Sequence, residues 1–183
     1  MTRERPLIVV VTGSECTGKT TLALELAVRF EAPWSHEFVR GYLERKAAPL
    51  VAGDVESVAR GQAAAEDAAV GAASDVAVKD TDLVSTVVYA HHYYGSCPAW
   101  AEREAAARLG DLYLLLHPDV PWVADGLQRD RPADRELLHG LFQQRLDSLG
   151  ARVVHIAGDW PARRRLAFDA VQSLLTHRGQ TRV

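Results

Sequence analysis

Cysteine is nearly absent: Cys16 and Cys97 are the only two in 183 residues. Two thiols without a CxxC or Cys/His spacing build neither a disulfide framework nor a zinc site, and a reducing, cytoplasmic setting is expected. Charge of one sign is lacking as well, with 21 Lys and Arg against 24 Asp and Glu and a net charge of −3. Such a chain has no field suited to non-specific nucleic-acid binding, which leaves small polar ligands as the expected partners. Long hydrophobic runs are missing too. Nothing approaches the roughly 20 apolar residues that cross a bilayer, and Leu7–Val11 leads into glycines rather than a cleavage site. The expectation is a soluble, unprocessed chain with no membrane partner. No internal repeat or interdomain linker is visible, and the length suits one domain, 1–183. Nothing in the sequence indicates an oligomeric state.

What is present is a regular alternation of apolar runs and helical patterns. Leu7–Val11 is a continuous, mostly β-branched run, as expected of a central strand buried on both faces of a parallel sheet. Trp34–Val39, Val76–Val78, Leu112–Leu116 and Val153–Ile156 read as four more strands. Helical spacing falls over Thr20–Phe30, Asp54–Ala73, Thr81–Tyr94, Ala99–Leu109, Arg135–Leu149 and Pro161–Thr176. In the alanine-rich stretch, Val55, Val58, Ala59 and Gln62 share one face, which favours helix over linker. The sum is an α/β fold with five parallel strands.

Between the first strand and the first helix, Gly13-Ser14-Glu15-Cys16-Thr17-Gly18-Lys19-Thr20 fits G-x-x-x-x-G-K-[ST] without a mismatch, with Thr21 next. The glycines let backbone N–H groups curl around phosphate oxygens at the positive end of a helix. Lys19 then reaches the β- and γ-phosphates, and Thr20 offers a hydroxyl to magnesium. ATP with Mg2+ is therefore the expected cofactor pair. Cys16 reads as a small loop residue, although a thiol at a helix N-terminus is prone to oxidation.

Ligands of open α/β sheets lie beyond the carboxyl ends of the strands, which draws attention to Glu37, Asp80 and Asp82. Asp80 stands where a Walker-B aspartate would hold magnesium opposite Thr20, or else caps the helix near Thr81. Asp82 is a candidate substrate contact. Glu37, with Arg40 one turn on, is either a base for a substrate hydroxyl with a cation beside it or a surface ion pair. Later, residues about 121–138 combine turn residues, Trp122 and three arginines. This reads as a lid whose Arg129 and Arg131 meet transferring phosphate, or as a solvated loop before a helix, with Arg135 completing the cluster. Trp122 either stacks on a ligand ring or packs the base of the lid. Trp160, after the fifth strand, sits where a nucleotide base would be held. His91 and His92 are adjacent, point apart on a helix and have no carboxylate spacing to support a metal.

These residues together resemble the AAA-type P-loop family that includes the ribosylnicotinamide kinase domain of bacterial NadR. The carriers are Gly13–Thr20, Glu37-Phe-Val-Arg40, Gly61-Gln62, Asp80-Thr-Asp82 and Leu114–Leu127 with its Pro-Trp-Val-Ala-Asp-Gly-Leu segment, in the family's order. The resemblance implies a nucleoside-kinase-like three-layer sandwich with strand order 2-3-1-4-5, and ATP- and magnesium-dependent phosphorylation of the 5′-hydroxyl of nicotinamide riboside. It also implies that Gln62, Trp122 and Asp125 help hold the riboside. The sequence departs from the family in reading Gln128 after Gly-Leu and in showing no adenylyltransferase or DNA-binding region. Two other functions stay open: a kinase of another nucleoside or small alcohol, and a regulatory ATPase with no acceptor pocket.

Overall fold

The computed structural model describes residues 5–123 and 132–180. Five parallel strands form one sheet: β1 (Leu7–Thr12), β2 (Trp34–Ser35), β3 (Val76–Asp80), β4 (Leu112–Leu116) and β5 (Val153–Ile156). Their order is β2-β3-β1-β4-β5, with β1 in the centre. Seven α-helices accompany them among the described residues: α1 (Lys19–Arg29), α2 (Phe38–Lys46), α3 (Val55–Ala72), α4 (Leu83–Tyr94), α5 (Ala99–Ala107), α6 (Arg135–Ser148) and α7 (Trp160–Gln180).

Successive side chains of a strand point to opposite faces, and the central strands are apolar on both. Leu7, Val9 and Val11 of β1, with Val76, Val78, Leu112, Leu114 and Leu116, bury against Leu22, Ala23 and Leu26 of α1 and Ala167 and Val171 of α7. Val10 and Tyr113 face the other way, onto Ala59, Leu83, Val84, Val87, Ala101, Ala105 and Leu146. Three layers result, and all strands end at the same edge of the sheet. No helix among the described residues is long and apolar enough to cross a membrane.

The largest departure from the sequence pattern is at Trp34–Val39, where one strand was expected. Only Trp34 and Ser35 pair, with Val78 and Lys79 of β3 at the sheet edge, and α2 starts at Phe38. The apolar side chains that mimic a strand are used differently. Phe38 lies against Gly61 of α3, where a Cβ would come within 2.1 Å of its ring, so Phe38 packs helix on helix instead of joining the sheet. Helix α2, which the pattern did not indicate, follows from that docking. Strand β3 also runs two residues longer than its apolar core, because Lys79 is buried by pairing with Glu66 on α3 at 2.6 Å.

Candidate functional site

The loop after β1 has the backbone that phosphate binding requires. Gly13 sits at φ 134° and a Cβ there would meet the Leu116 carbonyl at 2.8 Å, so only glycine fits. Gly18 sits at φ 88° with the Trp160 ring where its Cβ would be. Trp160 therefore packs on the loop's second glycine, its Nε1 donating to Glu25 at 3.3 Å. Lys19 is buried and donates to the Ser14 carbonyl at 2.8 Å, and Thr17 donates to the same carbonyl at 3.0 Å. Thr21 is exposed on α1. Cys16 lies at the lip, its sulfur accepting from the Val123 N–H at 3.1 Å. Arg135 binds the Val120 carbonyl at 3.0 Å and the Cys16 carbonyl at 3.4 Å, which ties the start of α6 to this loop.

Beside the loop, Thr20 donates its hydroxyl to Asp80 Oδ2 at 2.7 Å. Asp80 is 2% exposed, and its Oδ1 is buried with no hydrogen-bond partner. Burial, and after it the charge of Glu37, raise its pKa from 3.8 to about 6 against the opposing pull of Thr20, Lys19 and Arg40. A hydroxyl and a carboxylate with an unused oxygen are hard donors that suit magnesium. The next residue, Thr81, is held at φ 66°, a left-handed conformation that costs a β-branched residue about 1–3 kcal/mol and that concentrates at functional sites.

A cavity of about 290 Å³ opens next to the loop. Its polar side is made by Glu15, Lys19, Glu37, Arg40, Gln62 and Thr81, and its apolar side by Leu43, Leu50, Val51, Val55 and Val58. Ser85, Thr86, Tyr89, Tyr93 and Tyr94 of α4 form the third wall. Tyr93 donates to Glu15 at 3.2 Å, and the Tyr89 and Tyr93 rings are parallel with centroids 6.1 Å apart. Glu37 occupies the residue before α2 and faces Arg40 at 3.8 Å. Its place is set by Gln62, whose Oε1 accepts from the Phe38 N–H at 3.0 Å. The Gln62 amide in turn donates to Glu66 at 3.4 Å and to the Thr81 carbonyl at 3.5 Å. The buried Lys79–Glu66 pair thus anchors the residue that orients the start of α2.

The structure brings Lys19, Glu37, Arg40 and Gln62 to one cavity. It corrects the expectation for Asp82, whose carboxylate turns into the core. There it accepts from Tyr113 at 2.6 Å and from the Ser85 N–H at 3.3 Å, capping α4. The helix cap weighed for Asp80 belongs to Asp82 instead. Trp122 is half-buried and is not among the cavity's lining residues. Asp125, Arg129 and Arg131 lie outside the described residues. His91 and His92 make ordinary pairs with Glu102 at 2.8 Å and Asp134 at 3.1 Å. Sequence reading missed the α4 tyrosines and the wall from Leu43 to Val55. It also missed Asp54, which takes Lys46, Tyr42 at 2.8 Å and the Val51 N–H at 2.8 Å. Lys46 first, then those two bonds, lower the Asp54 pKa to about 2. The available signal for the wall was the unexplained apolar triplet Pro49-Leu50-Val51.

Sheet order, loop and adjoining cavity define a P-loop protein of the nucleoside- and nucleotide-kinase architecture. An AAA domain family model matches residues 8–163, and the chain belongs to that family. It is 30% identical over 177 residues to the trifunctional NAD biosynthesis/regulator protein NadR of Salmonella typhimurium, covering 93% of this chain and 43% of that protein. The NadR of Escherichia coli is 31% identical over 153 residues, covering 81% and 37%. The chain therefore spans less than half the length of these curated relatives, and its likeness is to the ribosylnicotinamide kinase domain. A crystal structure of NadR in complex with NR superimposes with a TM-score of 0.80 at 28% identity, covering 93% of this chain and 52% of that one. Thymidylate kinase from Ehrlichia chaffeensis shares the fold, with a TM-score of 0.65 at 12% identity and 93% and 99% coverage.

Proposed function

We propose that the protein transfers the γ-phosphoryl group of ATP to the 5′-hydroxyl of nicotinamide riboside, giving the mononucleotide and ADP. The observation that carries this reading is that Glu37, Arg40 and Gln62 line the same cavity as Lys19. A regulatory ATPase needs no acceptor pocket walled by tyrosines and apolar side chains next to its phosphate loop. The choice of acceptor rests on the likeness to NadR, one structure of which holds NR.

In this mechanism Lys19 exchanges the Ser14 carbonyl for phosphate oxygens as the nucleotide enters. Thr20 and Asp80 would hold magnesium, which would supply positive charge against the triphosphate. Asp80 is committed to Thr20 and is not part of the cavity wall, Glu15 is engaged by Tyr93 and Asp54 by Lys46, Tyr42 and the Val51 N–H, so Glu37, beside Arg40, is the carboxylate assigned to the acceptor. As the riboside oxygen bonds to phosphorus and the bond to the ADP oxygen breaks, the hydroxyl proton passes to Glu37, while Arg40 and Gln62 orient the sugar.

The test is ADP release in magnesium and ATP with a panel of nucleosides that includes nicotinamide riboside. Strong stimulation by nicotinamide riboside is expected. Stimulation by a different nucleoside alone would replace the acceptor, and ATP hydrolysis unaffected by every compound would replace the kinase with a switch.

A further inference from the structure

Away from the cavity, three of the chain's seven histidines meet on the α6 side of the sheet. His117 is the first residue after β4, His155 lies in β5, and His139 projects from α6. The register places Leu115 beside His155, and the His117 N–H bonds the Ile156 carbonyl at 2.9 Å. Two of the rings are thus fixed by the sheet itself. His117 Nε2 and His155 Nδ1 are 2.9 Å apart, the His117 and His139 centroids are 4.3 Å apart, and one nitrogen from each ring falls within 4.8 Å of the other two.

A hydrogen bond accounts for the pairing of His117 with His155 but leaves the third ring unexplained. His139 Nδ1 is buried and has no partner, and a buried polar atom without one is a rarity that calls for a cause. The nearby Arg163 guanidinium is neutralised by Asp119.

We propose that His117, His139 and His155 form a three-imidazole site for a divalent metal of the zinc, nickel and copper group. Three nitrogens on a tetrahedral ion at about 2.0–2.1 Å stand about 3.4 Å from one another. The cluster reaches that spacing by small ring rotations. With His155 exposed, the fourth position opens to water. Imidazoles without a carboxylate favour these metals over magnesium or calcium, which separates this site from Thr20 and Asp80. The bound ion joins β4, β5 and α6, and so fixes both chain ends that border residues 118–134. It also lies one side chain from the phosphate loop: Arg163 donates to the His117 carbonyl at 2.9 Å and to the Thr17 carbonyl at 3.0 Å.

Zinc is the probe. Metal-free protein is titrated with zinc in excess magnesium and followed by calorimetry, thermal unfolding and zinc-edge X-ray absorption. One zinc per chain is expected, with about three nitrogen neighbours at about 2.0 Å and a raised unfolding temperature. His155→Gln removes an exposed ligand and leaves the core intact, so a folded variant is expected to bind at least about 100-fold more weakly. His91→Gln, at the exposed pair with Glu102, is expected to bind like the parent. The site is overturned if magnesium abolishes stoichiometric binding, if zinc binding survives His155→Gln, or if His91→Gln removes it.

Discussion

Replacing Asp80 with Asn is expected to make the protein more stable and less active, and the structure supplies the magnitudes. Asp80 titrates near 3.8 when solvated and at about 6 in the fold, a difference worth about 3 kcal/mol. Between those values the native state keeps a proton that the unfolded chain has released. Stability therefore falls as pH rises through that window, and the full penalty stands above about pH 7. At about pH 4.5 only about 1 kcal/mol of it has developed. Asparagine carries no charge to bury and can still accept from Thr20. Its amide nitrogen, however, inherits the unpartnered position of Oδ1, at a cost of about 1 kcal/mol or more. A net gain of about 1–2 kcal/mol at pH 8 follows, or about 2–8 °C in unfolding temperature for a chain of this size.

The gain should vanish at about pH 4.5, where the amide costs as much as the charge it removes. Magnesium should stabilise the parent and not the variant, and magnesium-dependent turnover should fall further than metal-free nucleotide affinity. The assay is thermal unfolding of both proteins at the two pH values, with and without magnesium. A difference that is the same at both pH values, or a loss of stability at pH 8, would refute the reasoning.

Lys19→Ala should abolish turnover in a folded protein, since the loop backbone is held by Gly13 and Gly18; full activity would remove the loop from the chemistry. Glu37→Gln should lower turnover about 10²–10⁴-fold with nucleotide affinity barely changed. Because the Glu37 charge helps raise Asp80, the same variant should also move the carboxylate limb of the pH profile to lower pH, and an unmoved limb would uncouple the two. Gly61→Ala should cost about 1–3 kcal/mol by pushing a methyl into the Phe38 ring, and should raise KM for the acceptor more than for ATP. Equal changes in both constants would mean that Phe38 does not set the position of Glu37.

The sheet was legible because its strands are buried on both faces and so read as unbroken apolar runs, as Leu7–Val11 and Leu112–Leu116 do. The phosphate loop was legible because its constraints are local, carried by eight consecutive residues between a strand and a helix. Asp80 was singled out because a strand end is a place as well as a residue type. Asp82 was misplaced for the same reason. Two carboxylates at one strand end look alike in sequence, and what separates them is Tyr113, a residue 31 positions away, which draws one into the core.

The acceptor side was harder because its walls are assembled from segments that do not touch in sequence. Phe38 resembles the continuation of a strand until Gly61, on another helix, is seen to leave room for its ring. Glycine inside a helix costs about 1 kcal/mol relative to alanine, a penalty that makes sense only through this contact. Once Phe38 is seated, its N–H is presented to Gln62, α2 begins, and Glu37 is left at the cavity with its side chain free of capping duty. Lys79 and Glu66 complete the chain of supports. A lysine in the interior of β3 would argue against a buried strand, yet paired at 2.6 Å it fixes the carboxylate that holds the Gln62 amide. A buried pair of this kind is weak as a source of stability. Its value here is positional: it connects β3, next to the central strand, to Gln62 and through it to the start of α2, where Glu37 enters the cavity.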